Sequence, residues 1–245
     1  MELLINTFNL ILYQPLFNIL VLLYKYLPGH DFGIAVIVLT ILIRLVLYPL
    51  MAQSIKSQKV LSELQPKIQK IQEKFKGDRE RQVKEMMKLY QKEKINPFGG
   101  CLPLLIQLPI LIALFWVFMT FKDGLDSSEL AVLYHFISFP PLPEEPMFLG
   151  LINLAQSSLI LAFLAGICQF FQTKMITPKI KKAKNQMARF SEMIQKQMLY
   201  FFPIFTVFIL WKLPAAIGLY WIVTSLFSIG QQYLVFAKGK AADSS

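Results

Sequence analysis

Five apolar stretches of helix length follow one another along the chain, separated by polar or charged segments. A continuous apolar stretch of about 18 residues or more is typical of a membrane-spanning helix. The pattern therefore predicts an all-α integral membrane protein built as a five-span helical bundle. The predicted spans are about 33–51, 101–121, 148–173, 198–211 and 213–236, of which the fourth is short and contains Pro203.

Residues 1–32 are also apolar, but polar residues interrupt them more often. We expect Pro15 to divide this segment into two short helices, neither of them long enough to cross a membrane. An amphipathic helix that lies in the membrane interface, on the external face of the membrane, fits the segment better than a span does. A turn at Pro28 and Gly29 then leads into the first predicted span.

Residues 52–95, between the first two spans, are largely polar but carry apolar residues at spacings of three and four. Gly77 and Asp78 break this pattern in the middle. The spacing predicts an antiparallel helical hairpin with a narrow apolar seam and charged outer faces. A solvated spacer and a docking site for a cytoplasmic partner are both open interpretations. The seam would consist of Leu64, Ile68, Ile71, Phe75, Val83, Met87 and Tyr90.

The distribution of charge predicts which side of the membrane each segment faces. Residues 51–100 contain twelve Lys or Arg and six acids, and residues 173–197 contain seven and one. Residues 120–150 contain one Lys and five acids. Because cytoplasmic loops are enriched in Lys and Arg, the hairpin and a loop at 174–197 are predicted to be cytoplasmic. The chain would begin outside and end in a short cytoplasmic tail at 237–245. Topology explains the alternation better than nucleic-acid binding does.

Arg44 lies within the first predicted span and is its only charged residue. An arginine stays protonated in a protein, so it enters the membrane as a cation at a cost of about 2.5–3.5 kcal/mol on insertion scales. It could reach the membrane surface with its long side chain, or be a structural charge within the bundle. A charged residue inside a span is nevertheless a candidate functional site by default.

Neutral polar residues on other spans support the functional interpretation of Arg44. Each alone more often joins helices than forms a site. Together with Arg44 they predict a hydrated cavity shared by three spans, towards their inner ends. The candidates are Thr40 one turn before Arg44, Gln169 and Gln172 on the third span, and Tyr220, Thr224 and Ser228 on the fifth.

Several kinds of side chain are missing from the predicted spans, and their absence argues against several classes of function. No Asp or Glu lies in any predicted span, which argues against a proton pump or a cation exchanger. Cys101 and Cys168 are far apart and His30 and His135 are isolated, so we expect no metal site, no cofactor and no enzymatic activity. A buried cation without a counter-ion is suited to attracting an anionic or polar group for a short time.

Several motifs resemble those of the YidC/Oxa/Alb family of membrane protein insertases. The resemblance covers about residues 3–238, in order and with five-span spacing. It implies a bacterial protein of the plasma (inner) membrane that moves hydrophilic segments of its clients across the bilayer, through a groove open to the cytoplasm and to lipid. The motifs lie at 40–50, 64–68, 96–103, 107–110, 202–203 and 218–225.

The resemblance also implies roles for individual residues. Arg44 and Thr40 correspond to the groove arginine and threonine, and Trp221, beside Tyr220, to the aromatic position that contacts the client's span. Either Gln169 or Gln172 would be the groove glutamine. The implied partners are nascent membrane proteins and the lipid bilayer, with the Sec translocon, the ribosome and the signal recognition particle as further candidates; no nucleic acid is expected.

The chain departs from some family members in two respects. It lacks the large external domain and additional leading span of the Gram-negative form, and it shows no lipoprotein-type signal. Its basic tail, around Lys238 and Lys240, is too short for a ribosome-binding extension. Two other functions stay open: an assembly chaperone without insertion activity, and a transporter of anions or small solutes that uses Arg44.

Overall fold

The computed structural model describes residues 2–93, 96, 99, 102–123, 132–137, 145–177, 192–193 and 195–242. These residues are largely helical, which confirms the all-α class. The elements are α1 (Glu2–Tyr26), α2 (Phe32–Val46), α3 (Tyr48–Lys74), α4 (Arg79–Lys92), α5 (Leu102–Asp123), β1 (Met147–Phe148), β2 (Ile152–Asn153), α6 (Leu159–Ile176), α7 (Gln197–Leu210) and α8 (Ala215–Ala242).

The number of spans stays a prediction. Within the described residues, three helices are long and apolar enough to cross a membrane: α1, the Leu105–Lys122 part of α5, and α6. The pair α2 and α3 would make a fourth if its two bent parts form one span. Helix α7 is apolar but shorter.

Helix α1 continues through Pro15, so the expectation that this proline divides the segment is wrong. Residues Asn9–Tyr13 form a π-helical turn, in which the backbone N–H of Gln14 donates to the carbonyl of Asn9. Pro15 then falls in the first turn of the following α-helix, where its missing N–H costs least. The same arrangement recurs in α7, where the π-helical turn Gln197–Phe201 precedes Pro203. The interfacial location of residues 1–32 remains a prediction.

The first predicted span ends earlier than its apolar pattern suggests. Helix α2 ends at Val46, and α3 begins at Tyr48 at an angle of 68°. Pro49 lies in the first turn of α3 and cannot donate to the preceding turn, so the chain bends there. The helix boundaries therefore do not coincide with residues 33–51 and 52–95, and the bounds of the span and of the hairpin stay predictions. The side-chain Nε2 of Gln231 on α8 donates to the carbonyl of Tyr48 at 2.9 Å and fastens the bend.

The helix that corresponds to the third predicted span, α6, begins at Leu159 rather than at residue 148, and it ends at Ile176. The preceding residues form the antiparallel pair β1 and β2, whose turn contains Leu149 and Gly150 at positive φ. The side chain of Ser158 caps the start of α6. Helix α8, which corresponds to the fifth predicted span, extends to Ala242, past residue 236, and the bounds of both spans stay predictions. Apolar content alone locates neither boundary.

The hydrophobic core lies between α1, α2, α5 and the first turns of α8. Phe17 and Phe32 are buried, and the ring of Phe121 packs against both, with centroid distances of 5.7 and 4.8 Å. The backbone N–H groups of Ala215 and Ala216 donate to residues 156 and 154, which attach the start of α8 to the loop after β2. The end of the bundle that contains the N-terminus of α2 is therefore closely packed.

Asn18 is fully buried in α1 and attaches a connecting segment to the core. Its Nδ2 donates to the carbonyl of Val132 at 3.0 Å, and its Oδ1 accepts from the N–H of Tyr134 at 2.8 Å. Gln14 donates to the same Val132 carbonyl at 3.0 Å. Two amide side chains of α1 thus hold residues 132–137 in place.

We expect Asn18→Leu to destabilise the fold by about 1–2 kcal/mol, because the N–H of Tyr134 would lose its acceptor in a partly buried place. Thermal unfolding in detergent measures the change. Asn6→Leu is the matched control, since Asn6 is exposed on the same helix. Equal midpoints for the two variants would contradict the role of Asn18.

Helices α3 and α4 form the predicted hairpin, but with a different seam. Leu64 and Ile68 are buried and Ile71, Phe75 and Tyr90 are half-buried, whereas Val83 is 59% exposed and Met87 43%. The position facing α3 is taken by buried Gln82. Its Nε2 donates to the carbonyls of Gln72 and Phe75, which end α3. Because this contact fixes the rotation of α4, Val83 and Met87 lie on its outer face.

An ion pair joins the open ends of the hairpin, where Lys67 Nζ lies 2.7 Å from Glu93 Oε1. The hydrogen bond from Lys67 lowers the pKa of Glu93. A depressed carboxylate pKa gives stability that is complete above the ordinary value of about 4.3 and is lost as the pH falls through the lowered value.

We therefore expect the contact between Lys67 on α3 and Glu93 at the end of α4 to weaken below about pH 4, but not between pH 5 and 8, with a small increase in the distance between the two helices there. Spin labels at Gln69 and Gln91 would report the distance between the helices. Glu93→Gln is the control and should remove the pH dependence. A transition of the same size in that variant would contradict the role of this pair.

Candidate functional site

A cavity of about 300 Å³ lies among α2, α3, α5, α6, α7 and α8. Its polar lining consists mainly of neutral amides and hydroxyls. Met51, Ile55 and Phe202 are among its apolar lining residues. The polar lining residues are Arg44, Gln58, Gln107, Gln169, Gln172, Thr173, Thr224, Ser225, Ser228, Gln231 and Gln232.

Among the described residues that line this cavity, Arg44 alone is charged. It lies in the last turn of α2 and is 7% exposed. The carbonyl end of a helix carries partial negative charge, so the bend after Val46 places the cation where the helix dipole favours it. The bend thus explains how a buried arginine is tolerated at this position of α2.

The guanidinium of Arg44 belongs to a short chain of hydrogen bonds. Its Nη2 donates to Gln107 Oε1 at 3.4 Å, and Gln107 Nε2 donates to the hydroxyl of Tyr220. No carboxylate pairs with Arg44 within the described part of the chain. The charge is therefore held by neutral groups, and most of its donors remain available to a visiting group.

Helix α8 contributes the longest polar face of the cavity. Trp221, Thr224, Ser228 and Gln231 recur at spacings of three and four, so they lie on one side of the helix. Gln232, which is 2% exposed, also lines the cavity, and its Oε1 has no hydrogen-bond partner among the described residues. A buried acceptor of this kind needs water or a ligand to satisfy it. The cavity therefore contains at least one polar group that the described residues leave unsatisfied, within a lining whose surface is mainly apolar.

The sequence-based candidates fall into two groups. Arg44, Gln169, Gln172, Trp221 and Thr224 line the cavity. Both glutamines therefore face it, and Gln169 Oε1 accepts from Trp221 Nε1 at 3.0 Å.

Thr40 and Tyr220 do not line the cavity, although both are buried. Thr40 lies one turn nearer the core, and its hydroxyl donates to the carbonyl of Val36 in its own helix at 2.7 Å. Tyr220 interacts with the lining residues Gln107, Thr224 and Arg44 from behind the cavity wall. These two side chains support the wall of the cavity rather than form its surface.

Sequence reasoning missed several polar lining residues. Gln107 interrupts an otherwise apolar span, and this was the available signal for it. Ser225, Gln231 and Gln232 continue the spacing of Thr224 and Ser228 along α8, so the repeat could have been extended. Gln58 lies on α3, in a segment that the sequence predicts to be largely polar, so it gave no distinct signal. No group of three or more metal-ligating side chains occurs among the described residues.

Comparison with known proteins gives a consistent result. The family model described as 60Kd inner membrane protein matches residues 22–242. A protein of Clostridium tetani is 37% identical over 207 residues, covering 84% of this chain and 82% of its own length. A protein of Fusobacterium nucleatum is 34% identical over 209 residues, with 85% and 88% covered. Both are named membrane protein insertase YidC.

Longer relatives carry the same name. A protein of Wigglesworthia glossinidia brevipalpis is 35% identical over 224 residues, which is 91% of this chain but only 36% of that relative. The similarity thus covers nearly all of this chain and about a third of the longer proteins.

Proposed function

The chain belongs to the 60Kd inner membrane protein family, and on this premise we propose that it is a membrane protein insertase whose cavity at Arg44 receives a client's hydrophilic segment. It is a multi-pass protein of the bacterial inner membrane whose substrates are membrane proteins. The observation that carries the proposal is a buried cation that pairs with no carboxylate of the described residues, in a cavity whose apolar lining is interrupted by amides and hydroxyls.

The mechanism follows from the cost of moving polar groups through lipid. A polar group without a hydrogen-bond partner costs several kcal/mol in the bilayer core. Arg44, Gln107 and Gln232 would offer partners to such groups while the segment crosses. The client's apolar segment supplies the driving force, since each Leu, Ile, Phe or Val contributes about −0.3 to −0.6 kcal/mol on entering the bilayer. The protein lowers the barrier and needs no nucleotide.

The charge pattern supports an orientation with the cavity towards the cytoplasm. Arg44 and Thr173 lie near the ends of α2 and α6 that lead into the basic segments. By the positive-inside rule these ends face the cytoplasm, which puts the closely packed aromatic core towards the outside. Polar segments would therefore enter from the cytoplasm, with the chain's start outside and its tail inside.

The hairpin is a proposed docking element for the Sec translocon, the ribosome or the signal recognition particle. Val83 and Met87 are exposed on α4 beside basic residues, which suits a partner with apolar and acidic groups.

The names of the relatives favour an insertase over a chaperone without insertion activity and over a transporter of small anions.

The test of the proposed function is reconstitution. Proteoliposomes holding the protein receive a single-span client with a short acidic tail, and a protease added outside reports which tails have crossed. We expect protection of the tail with the protein and none in empty liposomes. A client whose apolar segment is replaced by a polar one should remain unprotected. Absence of protection with correctly folded protein would contradict insertase activity.

A further inference from the structure

A second pocket, of about 530 Å³, lies directly beside the Arg44 cavity. The two share Ile176, at the end of α6. Along α3, the side that lines the cavity at Met51, Ile55 and Gln58 continues into the second pocket at Lys59 and Ser62, at spacings of three and four. The second pocket therefore adjoins the cavity on its hairpin side, and the two pockets together form one continuous path that leads to Arg44.

Lys59 and Glu63 are the charged residues that line this pocket. Lys59 Nζ lies 3.8 Å from Glu63 Oε1 and 6.0 Å from the ring centroid of Phe236. The side chain of Lys59 is 25% exposed and that of Glu63 is 61% exposed. The cation is thus held inside the pocket, while the carboxylate projects from its rim.

The pair is poorly arranged for mutual stabilisation. Its separation is close to the limit for an ion pair, and the lysine precedes the glutamate by four residues, which is the less favourable order on a helix. An arriving carboxylate can therefore replace Glu63 at Lys59 with little loss. Among the described residues that line the two pockets, the other cation is Arg44, and the acid at the rim is Glu63.

Resting on the proposed function, we propose that Lys59 is a specificity-determining residue that binds carboxylates of the client's hydrophilic segment before they reach Arg44. Its partner is an acidic peptide segment. Phe236 and Met175 contribute apolar surface beside the cation, which excludes water from part of the contact and strengthens it. The pocket then favours acidic segments over neutral ones at the first step of insertion.

The test compares two clients with the same span, one with a tail containing two aspartates and one with two asparagines in their place. The quantity measured is the ratio of their insertion rates in proteoliposomes. We expect Lys59→Gln to lower the acidic-to-neutral ratio about threefold to tenfold, because a focused positive potential raises the encounter rate of an anionic segment. Lys59→Arg should preserve the ratio.

Lys56→Gln is the matched control, since Lys56 is exposed on the same helix and does not line the pocket. It should leave the ratio unchanged. An unchanged ratio in Lys59→Gln would overturn the role of Lys59, whether or not both rates fall together. So would an equal fall in Lys56→Gln, because that would point to general surface charge. In either case insertion of both clients by the wild-type protein keeps the proposed function intact, whereas insertion of neither would contradict it.

Discussion

Arg44→Ala is expected to slow insertion of a client with an acidic tail by about tenfold to a hundredfold. A hydrogen bond to a charged group is worth about 1.5–3 kcal/mol, and the variant leaves only neutral partners in the cavity. A client with a neutral tail should be affected much less, since Gln107, Gln172 and Ser228 remain. Initial rates of tail protection in proteoliposomes measure both effects.

Arg44→Lys is the control for charge, and we expect it to recover part of the lost rate. Lysine keeps the cation but loses the planar set of donors that an arginine presents.

The thermal stability of the Arg44→Ala variant provides a second control. Because Arg44 pairs with no carboxylate of the described residues and its burial is costly, Arg44→Ala should not lower the thermal midpoint. A large fall in the midpoint, with equal slowing of both clients, would show that the arginine is structural.

Gly166→Leu should destabilise the protein by about 3 kcal/mol, because α6 and α7 approach each other too closely for a side chain at this position. A Cβ atom built on Gly166 would lie 2.4 Å from Val207 Cγ2 and 3.2 Å from the carbonyl oxygen of Pro203. The second contact is with backbone, so the helices would have to separate. Thermal unfolding in detergent and the yield of folded protein measure the effect.

Gly230 on α8 offers a matched control, because a Cβ there meets nothing within 4 Å. Gly230→Leu should be neutral or stabilising, since leucine is the better helix former by about 0.8 kcal/mol or more. The two variants change the same residue type in the same way. Equal midpoints for both would mean that the contact between α6 and α7 does not limit stability.

The sequence predicted helices better than it predicted their ends. Runs of apolar residues identified every helix from α5 to α8, because burial in lipid or protein needs that composition. The bend after Val46 and the β-hairpin before Leu159 were missed, since apolar residues occupy bends and strands as readily as helices. Pro15 was misjudged because a π-helical turn before it accommodates the ring.

The candidate site was partly visible in the sequence. Arg44, Gln169 and Thr224 were recognisable because a polar residue within an apolar span needs a reason to be there. Thr40 shares the helix face of Arg44 but lies one turn farther into the packed core, and only tertiary packing decides where the cavity ends. The second pocket was not predictable, because Lys59 resembles the other lysines of the hairpin in its local sequence.

The most direct test of the central claim asks where a client's hydrophilic segment lies during insertion. A photo-activatable crosslinker would be placed at Thr224, which lines the cavity, or at Leu226, which is on the same helix, is 54% exposed and does not line it. Clients would be stalled with the acidic tail partly inserted. The account predicts that the tail crosslinks to position 224 and not to position 226. Crosslinking mainly to position 226, or equally to both, would contradict passage of the tail through the cavity.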